Sequence, residues 1–225
     1  MVREIMAEDR HVNVQFLGIV EYDEAFLLMK NLQNQRMNDE IIDTMLILEH
    51  PEIVTIGPRA RNDGITAPPT YPTYSVDRGG GLTWHGPGQI VVYPIFKWDL
   101  PGESSVAKII ALIEQWVIDT LANLGINCER DERMQGVWLD GYKICSIGLS
   151  FLRWTSRHGF TINLNTPKNR VENLAGCGLE SSTTTCLARL GYNLARDKII
   201  DSLIDTMPKI LNRGKVKFQS TNKNK

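Results

Sequence analysis

The sequence predicts a single domain of mixed α and β structure without internal repeats, and three observations carry that prediction. Strand-length runs of β-branched and aromatic residues alternate with segments of helical period along the chain. One such segment, residues 105–125, has the cap, the apolar face and the stop signal of a long amphipathic helix. With 225 residues and 42% hydrophobic content, the chain is long enough to bury one substantial core.

The elements follow in order. Residues 12–17 alternate as a strand does, and residues 22–36 place Ala25, Phe26, Met29 and Leu32 at helical spacing. Residues 44–48 are an apolar run, expected as a buried strand. Residues 58–73 hold Pro58, Gly64, Pro68, Pro69 and Pro72 without periodicity, so a loop is expected there. The run Ile90-Val91-Val92-Tyr93-Pro94-Ile95 reads as a strand. Ser105 caps the long helix, whose Val106, Ile109, Ile110, Ile113, Val117, Leu121 and Leu124 share one face, and Gly125 stops it. Residues 143–152 and 160–165 read as strands, and residues 195–211 as a terminal helix. The domain is expected to occupy residues 1–212, leaving residues 213–225 as a basic, polar tail that frays.

Composition excludes several classes of function. The 25 basic and 26 acidic residues give a formal net charge of −1, which implies no general attraction to nucleic acid or to a membrane surface. Apolar runs long enough to span a bilayer are missing, and residues 1–9 lack the apolar core of a secretion signal. Glu4, Glu8 and Asp9 speak against a transit peptide. Cys128, Cys145, Cys177 and Cys186 have no metal-ligand spacing, and a chain of this size does not depend on disulfides. A cytoplasmic protein without a metal is the expectation.

The most informative segment is Arg78-Gly79-Gly80-Gly81-Leu82-Thr83-Trp84-His85-Gly86-Pro87-Gly88-Gln89. Consecutive glycines permit positive φ and put no side chain between backbone and ligand, so the segment reads as a pocket wall of exposed amides, anchored by the strand that follows. In Ala175-Gly176-Cys177-Gly178-Leu179 a thiol stands between glycines, an awkward place for a core residue and a better one for a reactive group. Cys128, Cys145 and Cys186 read instead as small buried hydrophobes. Lys143 heads an apolar strand and by itself reads as a solvated strand end. His85 and His158 each precede a glycine, as turn residues or as pocket lining, and His50 before Pro51 reads as a residue that hydrogen-bonds a loop. Trp84 and Phe160 read as pocket walls or as core aromatics.

Together with Lys143-Ile144-Cys145-Ser146-Ile147-Gly148, with Ser156-Arg157-His158-Gly159-Phe160-Thr161-Ile162-Asn163, and with Glu49-His50-Pro51 followed by Thr55 and Gly57, these segments resemble the lipoyl(octanoyl) transferase family in content and order. The resemblance spans residues 12–190 and implies the α+β mixed-sheet domain shared with lipoate and biotin protein ligases. It implies Cys177 as nucleophile and Lys143 as its catalytic partner, because an ammonium near a thiol favours thiolate and the amine can move a proton during acyl transfer. The implied acyl-binding residues are Arg78, Gly79, Gly80, Gly81, Leu82, Thr83, Trp84 and His85, then Ser146, Ile147 and Gly148, then His158, Gly159 and Phe160. Arg78 is left with two roles, anchoring the glycine loop or meeting a carrier phosphate.

The reaction implied is transfer of octanoyl from the phosphopantetheine arm of acyl carrier protein, through a Cys177 thioester, to a lysine of a lipoyl domain. That acceptor belongs to a 2-oxoacid dehydrogenase or to the glycine-cleavage H protein. No ATP or metal cofactor, nucleic-acid partner or membrane insertion is implied, and a monomer is expected. Three positions depart from the family pattern: Gly176 stands for a common proline, Ser150 for a frequent arginine and Thr161 for a usual alanine. They bear on loop rigidity and carrier docking. An ATP-dependent lipoate-protein ligase is the alternative, though an acidic residue usually follows the histidine there and Gly86 follows His85 here. A non-catalytic acyl-binding protein would leave Cys177 and Lys143 without a purpose.

Overall fold

The structure is a computed structural model that describes residues 10–174 and 183–214, and the backbone of residues 216–219. In chain order the elements are β1 (Val12–Ile19), α1 (Tyr22–Met37), β2 (Asp43–Glu49), β3 (Ile53–Ile56), α2 (Pro58–Asn62), β4 (Thr73–Ser75) and β5 (Leu82–His85). There follow β6 (Gln89–Ile95), α3 (Val106–Ala122), β7 (Val137–Leu139), β8 (Tyr142–Leu152), β9 (Thr155–Asn163), a short 3-10 turn over Leu187–Leu190, α4 (Arg196–Leu211) and β10 (Val216–Gln219).

Seven strands make the main sheet in the order β10-β1-β2-β6-β9-β8-β7, and β4-β3-β5 make a small one. The main sheet is mixed: β1 and β2 run parallel because α1 carries the chain back between them, whereas β2, β6, β9 and β8 pair antiparallel. Helices cover both of its faces, so β6 is buried along its whole length. On one face Ala25, Met29 and Leu32 of α1 meet Leu46, Leu48, Val91 and Tyr93. On the other, α3 and α4 close the larger core over Ile90, Val92, Phe160 and Ile162. No helix among the described residues is long and apolar enough to cross a membrane.

The long helix forms for the reasons its sequence gives. Ser105 Oγ accepts from Lys108 N at 3.3 Å, and Gly125, at φ +81°, ends the turn that follows. Ile109, Ile113, Trp116, Val117 and Leu121 are buried, each such side chain contributing about 1.5–3 kcal/mol. Two positions differ from the expected face. Val106 is 44% exposed, whereas Glu114 is buried, its carboxylate accepting from Gly136 N at 2.9 Å and Arg130 Nε at 3.1 Å.

Three further expectations are corrected. The stretch 58–73 is not all loop: Pro58 opens the short helix α2, where its missing N–H costs nothing, and β4 starts at Thr73. The strand expected over residues 160–165 is β9, which starts at Thr155 and ends at Asn163. The left-handed residues Arg153 and Trp154, at φ 48° and 59°, let it follow β8 directly. The tail expected to fray from Arg213 does not begin there. Arg213 is fully buried over the rings of Phe96 and Trp98, donating to Asp43 Oδ2 at 2.9 Å and Glu103 Oε1 at 2.5 Å. Beyond it, β10 pairs in parallel with β1.

Candidate active site

A cavity of about 470 Å³ opens between the glycine segment, β8 and the first turns of α3. Gly79, Gly80 and Gly81 form one wall, with Leu82, Thr83 and Trp84 beyond them; Lys143, Ser146, Ile147 and Gly148 form another. Ile110 and the half-exposed Val106 close it from α3, which accounts for an apolar residue left uncovered on that helix.

The glycine wall is pinned at both layers. Gly57 N donates to Gly81 O at 2.9 Å, Arg59 N to Gly80 O at 3.2 Å, and Gly79 N to Leu149 O at 2.9 Å. The Gly79 amide is thus committed to β8 rather than exposed to a ligand. Arg78 settles into the role of loop anchor, its guanidinium donating to Thr55 Oγ1 at 2.7 Å and to the carbonyls of Thr55 and Gly81 at 3.1 Å. Two glycines make this packing possible. A Cβ on Gly57 would run into the Gly80 carbonyl, and one on Gly148 would lie 2.9 Å from Arg78 Cδ.

Lys143 is not a solvated strand end. It is 5% exposed and lines the cavity. Its backbone is fixed by the chain on the far side of the site, with Lys143 N donating to Thr183 O at 2.9 Å and Thr185 N to Lys143 O at 3.0 Å. Gly136 clears the path of the side chain, since a Cβ there would sit 2.6 Å from Lys143 Cε. Cys177 lies outside the described residues, within the stretch 175–182. The described residues flanking that stretch are at the site: Leu174 and Thr184 both line the cavity, and Thr183 pairs with Lys143.

His85, His158, Gly159 and Phe160 stand apart from this cavity. They line a second, much smaller chamber behind Ser146, Ile147 and Gly148. His85 bridges Gln89 Oε1 (2.9 Å) and Thr55 Oγ1 (3.3 Å), and His158 bridges Asp77 Oδ1 (2.9 Å) and the Tyr22 hydroxyl (3.3 Å). Burial holds both imidazoles below their usual pKa, with the neighbouring His50 ring and the Arg78 charge adding to the effect at His85. The neutral His158 therefore donates from Nε2 to Asp77 and accepts from Tyr22. That hydrogen bond is the main reason the Asp77 carboxyl is lowered to about 2. His50 is buried too, lowered to about 4, and bonds Val20 O and the Tyr93 hydroxyl. Phe160 points its ring at Trp116, 5.4 Å away, in the helix-covered core. Trp84 lines the main cavity while its Nε1 donates to Glu52 at 3.0 Å.

The polar floor of the cavity escaped the reading of the sequence. Gln89 Nε2 donates to Asn163 Oδ1 at 2.9 Å, and Asn163 Nδ2 donates to Thr185 O at 2.9 Å, so two buried amides tie the glycine turn to the chain that holds Lys143. Both residues end motifs already singled out, which was the available signal. Of the other cysteines, Cys145 is fully buried and its thiol is pushed up to about 12 by burial, against the lowering influence of Lys143. Burial likewise pushes Cys128 up to about 12, and Cys186 is buried. Among the described residues no cluster of three His, Cys, Asp or Glu side chains could hold a metal ion.

Residues 21–208 match the family described as the lipoyl protein ligase A/B catalytic domain. An octanoyltransferase of Corynebacterium efficiens is 36% identical over 91% of this chain and 84% of its own length. Among solved structures, a bi-partite lipoate protein ligase from Thermoplasma acidophilum superposes with a TM-score of 0.65 at 12% identity, covering 93% of this chain and 85% of that one. The biotin protein ligase of Aquifex aeolicus superposes at 0.54 with 10% identity, covering 88% of this chain and 68% of that one. These two show a shared fold.

Proposed function

Because the chain belongs to the octanoyltransferases of the lipoyl protein ligase A/B catalytic-domain family, we propose that it moves an octanoyl group from acyl carrier protein to a lysine of an apo lipoyl domain, using Cys177 as nucleophile and Lys143 as its partner. The acceptor is a lipoyl domain of a 2-oxoacid dehydrogenase or the glycine-cleavage H protein, and the setting is the cytoplasm. The observation that carries this reading is the convergence on one cavity of Lys143, the glycine wall and both described flanks of the stretch that contains Cys177.

The chemistry divides one slow aminolysis into two easier steps. The Cys177 thiolate attacks the donor thioester carbonyl, the bond to the carrier sulfur breaks, and the carrier leaves as a thiol after taking up a proton. The acceptor amine then attacks the Cys177 thioester, loses a proton and forms an amide, and the cysteine sulfur is released. Lys143 stabilises the thiolate as an ammonium and passes protons as an amine. One thioester replaces another in the first step and amide formation drives the second, so the cycle calls for no nucleotide or metal.

Incubation with octanoyl-carrier protein and an apo lipoyl domain, in buffer without ATP or magnesium, tests this directly. The mass of the acceptor should rise by one octanoyl group. Transfer that depends absolutely on ATP would contradict the reading and favour a ligase.

A further inference from the structure

The small chamber behind the cavity holds an unusual group. Its volume is about 20 Å³, above the ~10–15 Å³ that a single water needs. Thr161, which lines it, is 4% exposed, and its Oγ1 is buried with no hydrogen-bond partner among the described residues. A buried hydroxyl left so is costly, and a site with further polar groups around it admits a water. Two such groups share the chamber. The Tyr22 hydroxyl is bonded to His158 and the Tyr93 hydroxyl to His50, and each oxygen keeps a lone pair with which to accept another hydrogen bond.

The position of this chamber along β8 gives it a meaning that rests on the acyl-transfer reading above. If the acyl carbonyl lies beside Lys143, an extended chain advances ~1.25 Å per carbon from there, so eight carbons reach about 9 Å. Three strand residues cover about 10 Å. Three residues beyond Lys143 stands Ser146, which lines both the cavity and the chamber and whose cross-strand partner is Thr161. The end of an octanoyl chain therefore arrives at the Ser146–Thr161 pair.

We propose that the Thr161 hydroxyl holds one water in this chamber, and that the two together form the end wall of the acyl cavity and set its length limit. An octanoyl methyl stops against them. A longer chain has to displace the water and bury the hydroxyl against methylenes that offer it no hydrogen bond, a loss that offsets the gain from burying more carbon.

Calorimetric binding of free octanoate and decanoate to the full chain tests this without using the transfer reaction. Two extra methylenes favour decanoate by about 15-fold where nothing blocks them. The wild type and Thr161→Ser, which keeps the hydroxyl, should nevertheless prefer octanoate. Thr161→Val keeps the branched shape and removes the hydroxyl, and should reverse the preference towards decanoate by about tenfold or more. An unchanged octanoate-to-decanoate ratio in Thr161→Val, with octanoate still bound, would overturn the proposal. A wild-type crystal structure with no water on Thr161 Oγ1 would overturn it as well. Should the wild type bind neither acid while still transferring octanoyl from its carrier, the length limit fails and the transfer function stands; failure of both binding and transfer removes the functional reading itself.

Discussion

Two groups of buried charge lie towards opposite edges of the main sheet, and they differ in what surrounds them. At the start of β2, Asp43 is fully buried and meets Arg36 Nε at 2.6 Å, Arg213 Nε at 2.9 Å and Arg10 Nη1 at 3.8 Å, with Glu103 and Asp99 answering the remaining guanidinium charge. Arg10 and Arg213 come from opposite ends of the described chain, and the cluster clamps those ends to the sheet. Lys143, on β8, is nearly as buried, yet its side chain faces a cavity of about 470 Å³. Burial of a charge is thus common to a clamp and to the lysine proposed for catalysis. The open volume beside the charge distinguishes them.

Substitutions at the two places should therefore break different properties. Lys143→Met keeps length and packing but removes the charge, and transfer per folded molecule should fall by about 10²–10⁴-fold, well beyond any change that the chemical-denaturation midpoint would account for. Single-turnover acylation beside a urea melt measures both. A loss of activity that merely tracked a loss of folded protein would place Lys143 with the clamp. Asp43→Asn should do the reverse: removing one charge from among three arginines should cost about 3–5 kcal/mol of stability, read from urea unfolding, and leave the rate per folded molecule unchanged. A normal midpoint in that variant would show that the ion cluster is dispensable.

The histidines behind the cavity give a smaller effect with a definite sign. His50 is held neutral by burial, lowered to about 4, whereas in the unfolded chain a histidine titrates near about 6.5. Its contribution is complete above the unfolded value and is lost as pH falls from there towards 4, because the unfolded chain takes up the proton first. That window amounts to about 3 kcal/mol for His50 alone, and the lowered pKa values of His85 and His158 act in the same direction. Urea unfolding at about pH 7 and about pH 5 should show the native state weakening on acidification. Replacing His50 by Gln should flatten that slope, and a slope unchanged by the replacement would remove His50 from the account.

What could be read from the sequence depended on how local the cause was. The helix α3 was legible because its cap, face and stop lie within about two dozen residues. The glycine segment was legible as a wall because three glycines in a row have few other uses. Arg213 was read as a fraying end because its partner Asp43 is 170 residues away in the chain. The burial of Glu114 was invisible for a similar reason, since its partners Gly136 and Arg130 arrive from the segment before β7. His85 and His158 were grouped with the acyl wall on motif alone. The meeting of α1, β5, β6 and β9 sets them in the smaller chamber next to the main cavity, bonded to Gln89, Thr55, Asp77 and Tyr22.

The central claim is that Cys177 carries the acyl group beside Lys143, and intact-protein mass spectrometry tests it most directly. After brief exposure to octanoyl-carrier protein, with no acceptor and no ATP, the wild type should gain a single octanoyl group that hydroxylamine removes and that maps to Cys177. Cys177→Ser should gain no hydroxylamine-labile adduct, while Cys145→Ser should gain it as the wild type does. An adduct on Cys145, or no adduct on a wild type that nevertheless turns over, would contradict the account.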